Sequence, residues 1–193
     1  MMTRTLHRLM RQCGRFFTAQ SGAAAVEFAL VLPLMLLLYI GSTELSQVIT
    51  VDRRVTTIAG TVGDLVSRSN TTVTATELTD YFTAASSIIT PFTTTGLQQV
   101  VSELAVDTQG KATVVWSRAT NGGVAHAATS AFSLTDVPEM ANLAKGKFLI
   151  VAETSYSYTP MLDFFFKKSF SLYHRNYYLP RFGGSISYCA TCT

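Results

Sequence analysis

The apolar run Ala23 to Ile40 is 18 residues long and contains one charge, Glu27. A bilayer-crossing helix needs about 17–25 apolar residues, so this run meets the lower bound. A lone spanning segment must satisfy its backbone polar groups internally, which requires a helix. A carboxylate at the centre of such a helix costs about 2.5–3.5 kcal/mol, so one retained inside an apolar run calls for a reason. Arg4, Arg8, Arg11 and Arg15 precede the run, with no acidic residue among the first 22 positions. Glu44 and Asp52 follow it before the pair Arg53-Arg54. Basic flanks stay cytoplasmic, so this asymmetry predicts residues 1–22 in the cytoplasm and residues 41 onward across the membrane. A secretory signal peptide shares the basic start and apolar core, but places a small-residue cleavage site after the core. Here Glu27 interrupts the core, and Gly41-Ser42-Thr43 is a poor site for such a cut.

Gly22 lies directly before the run, Glu27 is the fifth residue after it, and Phe28 comes next. This arrangement resembles a type IV prepilin cleavage site. The resemblance implies that a membrane prepilin peptidase cuts between Gly22 and Ala23, removing the basic leader and keeping the apolar helix. The longer stretch Gly22 to Leu34 is similar to the TadE/TadG-like family, minor pseudopilins of the tight-adherence (Tad, or Flp) pilus. Two later stretches resemble the same family. Val151 to Leu162 looks like its aromatic strand running into a Pro-Leu turn, and Tyr178-Leu179-Pro180-Arg181 looks like its Arg-Pro-Arg element, with Leu179 at the first arginine's place. At 193 residues the chain suits TadE or TadF better than the longer TadG proteins. The N-terminal resemblance covers about 25 residues, and residues 70–145 resemble nothing nameable.

The family implies a pilin-like α+β fold, with a long N-terminal helix half in lipid and a small domain built on an antiparallel sheet of about four strands. The expected organisation is a cleaved leader (1–22), a transmembrane and amphipathic helix (23–69) and a periplasmic or extracellular α+β domain (70–193). The resemblance also implies that Glu27 pairs with the new α-amino group of a neighbouring subunit, beside Phe28. The implied partners are the prepilin peptidase, other pseudopilins, the pilus and secretion machinery, and the bacterial inner membrane. Two alternatives belong to other classes: an uncleaved single-pass scaffold of a secretion or pilus complex, and a periplasmic thiol oxidoreductase.

Composition narrows the field further. The net charge of +3 rests on the leader, because without its four arginines the chain has eleven basic against twelve acidic residues. Nucleic-acid binding asks for a basic patch on the folded domain, so it is not expected. Arg53-Arg54 and Lys167-Lys168 read as solvated pairs. Low charge (14%) and high hydrophobicity (48%) suit an anchored chain.

Beyond the span, Leu45, Val48, Ile49, Val55, Ile58, Ala59, Val62, Leu65 and Val66 recur at helical spacing. The pattern predicts one helix from Ala23 to about Ser67, with Pro33 as a kink site and Gly41, Gly60 and Gly63 as bending points. Thr74-x-x-Glu77 has capping-box spacing and predicts a helix from Ala75 to Ile89, stopped by Pro91. Val100 to Trp116 alternates around the turn Asp107 to Gly110 and predicts a hairpin, with Ala112, Val114 and Trp116 on one face. Asn121-Gly122-Gly123 predicts a loop, and residues 136–144 a short helix. Lys147 to Tyr158 is apolar on both faces, as in a central strand. Residues 160–168 predict an aromatic-rich helix, and Phe170 to Tyr178 a last strand.

The remaining candidates have plain readings. Cys189-x-x-Cys192 shares the spacing of a thioredoxin-type redox pair, but no helix follows it to lower a thiol pKa. A disulfide in the oxidising compartment fits better. Zinc needs four ligands, and only the distant His126 and His174 are available to join the cysteines, so no metal or cofactor is expected. His174, Arg175 and Asp163 lack an accompanying nucleophile motif or phosphate loop. Neither an enzyme nor a small-molecule binder is expected.

Overall fold

The computed structural model describes residues 20–160 and 169–192. The chain divides into two units, Met1–Ser46 and Gln47–Thr193. Helix α1 (Gln20–Ser67) contributes to both and continues through Pro33. In the first unit the helix is a bare rod, with its large apolar side chains from Val26 to Tyr39 exposed. Its most apolar window has a mean hydropathy of 2.3 with none of it buried, so it is long and apolar enough to cross a membrane.

The second unit is α+β. Its elements after α1 are β1 (Thr72–Thr74), α2 (Ala75–Ser86) running into a 3₁₀ turn (Ser87–Ile89), β2 (Leu97–Val106) and β3 (Ala112–Thr120). They continue with β4 (Ala131–Phe132), α3 (Pro138–Leu143), β5 (Phe148–Tyr158), β6 (Phe170–Tyr178) and β7 (Ser187–Cys189). Five strands form an antiparallel sheet in the order β4-β3-β2-β5-β6, while β1 and β7 pair in parallel. β4 is only two residues long, so the body of the sheet is four strands.

The capping box forms as its spacing predicts. The Thr74 hydroxyl accepts from the Glu77 N–H at 3.2 Å, and the Glu77 carboxylate accepts from the Thr74 N–H at 2.9 Å. The α2 exit is closed by Arg54, whose guanidinium donates to the carbonyls of Ile88 (2.6 Å) and Thr90. These are orphan carbonyls at a helix end, which basic side chains commonly satisfy. Arg54 is therefore a half-buried structural cation, and only Arg53 of the pair is solvated.

The sheet has a core on each face. On one, Val51, Val55, Ile58, Val62 and Val66 of α1 pack with Leu97, Val101, Ile150, Ala152 and Trp116. On the other, Leu104, Val114, Leu149 and Val151 are covered by Phe132, Leu134 and the α3 region. Alternate residues of β5 serve both cores, which explains why its sequence is apolar throughout. The register slips once, between Glu103 and Leu104: Trp116 pairs with Glu103 but Val114 pairs with Leu104. Val115 is the extra residue and is exposed. A one-residue bulge reverses facing, so Trp116 joins the α1 core while Ala112 and Val114 face the other way. The predicted single face for all three residues is corrected accordingly.

Gly60 and Gly63 are contact points. A Cβ on Gly63 would lie 2.5 Å from Cδ2 of Tyr178, and one on Gly60 would lie 3.3 Å from the Tyr178 hydroxyl. The absence of side chains lets α1 approach β6 closely. β6 has the predicted bounds but is followed by β7. The helix predicted over 160–168 lies almost wholly outside the described residues.

Candidate functional site

Gly22, Ala23, Glu27 and Phe28 lie in regular α-helix within the first unit. At 3.6 residues per turn, Glu27 shares a helix face with Ala23. Phe28 is 65% exposed. A Cβ at Gly22 would meet nothing within 4 Å, so packing within the chain does not demand glycine there. The four residues thus form an uncovered apolar helix surface with one carboxylate on it. Chemically, such a surface can pack against lipid or against helices of the same kind.

The later elements are far from this segment in sequence and organise the second unit. Pro180 is buried, and the Arg181 N–H donates to the Ser67 carbonyl at 2.9 Å, closing the C-terminal end of α1. The Arg181 guanidinium donates to Asp64 at 2.7 Å, and Arg68 donates to the other oxygen of the same carboxylate at 2.5 Å. These hydrogen bonds, from Arg68 first, hold the Asp64 carboxyl below its ordinary range. Pro180-Arg181 therefore acts as a helix-end latch.

The chain after Arg181 is strapped across the sheet. Glu103, fully buried, accepts from the Ile186 N–H at 2.6 Å and the Ser185 hydroxyl at 3.0 Å. Trp116 Nε1 donates to the Ile186 carbonyl at 2.6 Å. Burial pushes the Glu103 carboxyl up, against the opposing pull of these donors. β7 then pairs with β1, and the Arg118 guanidinium stacks 4.0 Å over the Tyr188 ring. Cys189 and Cys192 are bonded to each other at the end of the strap, with Cα atoms 5.6 Å apart. So short a loop constrains the unfolded chain little. Alkylation without reductant is expected to leave Cys189 and Cys192 unmodified, and alkylation after reduction to label both, as read by mass on the peptide that carries them. Labels on both Cys189 and Cys192 without reductant would remove the bridge, and unusually fast labelling of Cys189 would reopen the oxidoreductase alternative.

His126 and His174 are drawn to carboxylates. His126 Nε2 lies 2.5 Å from Glu153, and His174 Nε2 lies 2.6 Å from Asp52 of α1. Glu153, almost fully buried, also accepts from the Tyr173 hydroxyl and from Arg175 Nε at 3.2 Å. Arg175 reaches on to Tyr177 and Asp136 and stacks over Phe132. Burial first, and the bond to Glu153 next, push the Tyr173 hydroxyl up to about 12. The network ties the 121–137 region to β5 and β6 through one buried carboxylate. Sequence spacing conceals it, because its members come from three separate stretches. Asp163 lies outside the described residues. Among the described residues, no group of three or more His, Cys, Asp or Glu is arranged to hold a metal ion.

No curated protein and no solved structure matches the chain. Residues 22–62 match a family model described as TadE-like protein. The match begins at the glycine of the expected cleavage site and ends within α1, before the Pro180-Arg181 latch.

Proposed function

We propose that the chain is a Tad-pilus-associated protein and, more narrowly, a minor pseudopilin, a reading supported by the TadE-like match over residues 22–62. In this reading a prepilin peptidase cuts after Gly22, and the helix beginning at Ala23 stays in the inner membrane with residues 41 onward in the periplasm. The freed helix then enters a filament or its base. There it packs against helices of other subunits, with Glu27 meeting a neighbour's new α-amino group beside Phe28. The function is assembly, without turnover. The observation that carries this reading is the bare apolar helix face starting at Gly22, where glycine serves no packing need and one carboxylate stands in the span.

N-terminal sequencing tests it. Co-expressed with its peptidase, the chain is expected to lose about 2.5 kDa, the mass of a 22-residue leader, and to begin Ala-Ala-Ala-Val-Glu. Gly22→Leu is expected to block the cut completely. An intact N-terminus in cells with a working pilus system would overturn the pseudopilin role and leave the uncleaved scaffold.

A further inference from the structure

We propose that the outer edge of β6 receives an extended strand from a neighbouring protein subunit, one that carries an acidic side chain opposite Arg53. The two ends of the five-stranded sheet are treated differently by the chain. On the β3 side, β4 pairs with Ala112 and Thr113. The loop before β4 then continues the cover: the Val114 N–H donates to the Ser130 carbonyl at 2.9 Å, and the Thr129 N–H donates to the Val114 carbonyl at 2.8 Å. The His126 N–H reaches the Ser117 hydroxyl at 3.0 Å. On the other side, among the described residues, β6 pairs only with β5, over nine residues in unbroken register. Alternate residues of an antiparallel edge strand point their N–H and C=O groups away from the sheet. None of these outward groups on β6 has a backbone partner among the described residues.

Such an edge templates pairing, and proteins usually blunt it with proline, lysine, a bulge or an inward charge. Phe170–Tyr178 has no proline, no lysine and no bulge. Its one arginine, Arg175, is held by Glu153 and Asp136, and His174 is held by Asp52. Among protein partners, an extended main chain matches a row of alternating donors and acceptors, so the occupant is a strand.

The surroundings define its side chains. Asp52 reaches His174, and the Thr56 carbonyl accepts from the Asn176 amide at 3.1 Å, so this side of α1 borders β6. Ile49 and Arg53 lie on the same flank by helical rotation. Ile49 is 46% exposed and Phe170 is 40% exposed, which favours an apolar residue near the start of β6. Arg53 is exposed and has no ion pair among the described residues, which favours a carboxylate beside it.

The proposal rests on the assembly reading only in taking the donor to be a neighbouring subunit. The test uses the full chain in its own cells, with a photoreactive phenylalanine analogue at the exposed Ser171. Illumination is expected to give an adduct with a different protein. The cross-linked peptide, identified by mass spectrometry, is expected to come from an extended segment bearing Asp or Glu. Arg53→Glu is expected to cut the adduct yield about tenfold while leaving the thermal melt unchanged. Adducts only with lipid, within the chain or with a second copy would overturn the proposal, as would a yield indifferent to Arg53→Glu. No adduct from chains that begin at Ala23 would overturn it while sparing the pseudopilin role; chains that keep their leader would instead sink that role.

Discussion

Glu27→Ala is expected to abolish incorporation into the pilus assembly while leaving membrane insertion intact or improved. The two effects have opposite signs because the carboxylate plays opposite parts in the two states. In the isolated span it is a charge in an apolar medium, costing on the order of 2.5–3.5 kcal/mol at a helix centre. Removing it makes the segment a better membrane helix. In the assembled state its proposed partner is the α-amino group that cleavage creates on a neighbour, and in low dielectric such a pair has no substitute from water. Glu27→Gln is expected to behave like the alanine variant, because it keeps size and polarity but not charge. Membrane fractionation reads the first effect, and counting of pili or pull-down of partner subunits reads the second. Normal piliation by Glu27→Ala would show the carboxylate to be incidental.

Gly63→Leu is expected to lower the stability of the second unit by about 3 kcal/mol, at the upper end for overpacking a filled interior. For a chain of this size that corresponds to a Tm drop of roughly 10 °C. Gly63→Ala is the sharper test, because propensity and packing predict different signs. Alanine gains about 1 kcal/mol over glycine in an open helix. Here its Cβ would come 2.5 Å from the Tyr178 ring and 3.2 Å from the Ala152 side chain, so a net loss is expected. Gly60→Ala, whose nearest atoms lie at 3.3 Å, is expected to be close to neutral. The double variant Gly63→Ala/Tyr178→Leu should lose less than the sum of its parts, since the two positions touch. Thermal melts of the full chain in detergent would decide the matter. A rise in Tm for Gly63→Ala would restore the bending-point reading.

Much of the architecture was legible in the sequence because it is encoded locally. Apolar composition marked the exposed helix of the first unit, Val55, Ile58, Val62 and Val66 of the helical recurrence marked the buried stripe of α1 (Leu45 and Ile49 of that set are exposed, and Val51, outside it, is buried), and Thr74 with Glu77 marked the start of α2. Each of these depends on neighbours within a turn or two of helix, where residue type and spacing suffice. The same is true of β5, whose apolar residues on both faces announced a strand buried on both sides, and of the family match, which falls on the exposed apolar part of α1 and much of its buried stripe.

What only the tertiary structure decided depends on contacts between distant stretches. The slip at Val115 that turns Trp116 into the α1 core is a property of pairing between two strands, and alternation within one strand does not reveal it. β1 and β7 are three residues each, too short to show a period, and pair just after the point where Glu103 and Trp116 hydrogen-bond the backbone of Ile186. Gly63 read as a flexible point because glycine's conformational freedom is visible in sequence, whereas the Tyr178 ring it accommodates lies 115 residues away. Likewise Arg54, His126, His174 and Arg181 look like surface residues by composition. Each is committed to a carbonyl or carboxylate that folding brings within hydrogen-bond reach. Sequence determined the long apolar helix and the shorter helices, where the physics is short-ranged; the sheet edges, the latch on α1 and the buried carboxylate network were decided by long-range closure of the chain.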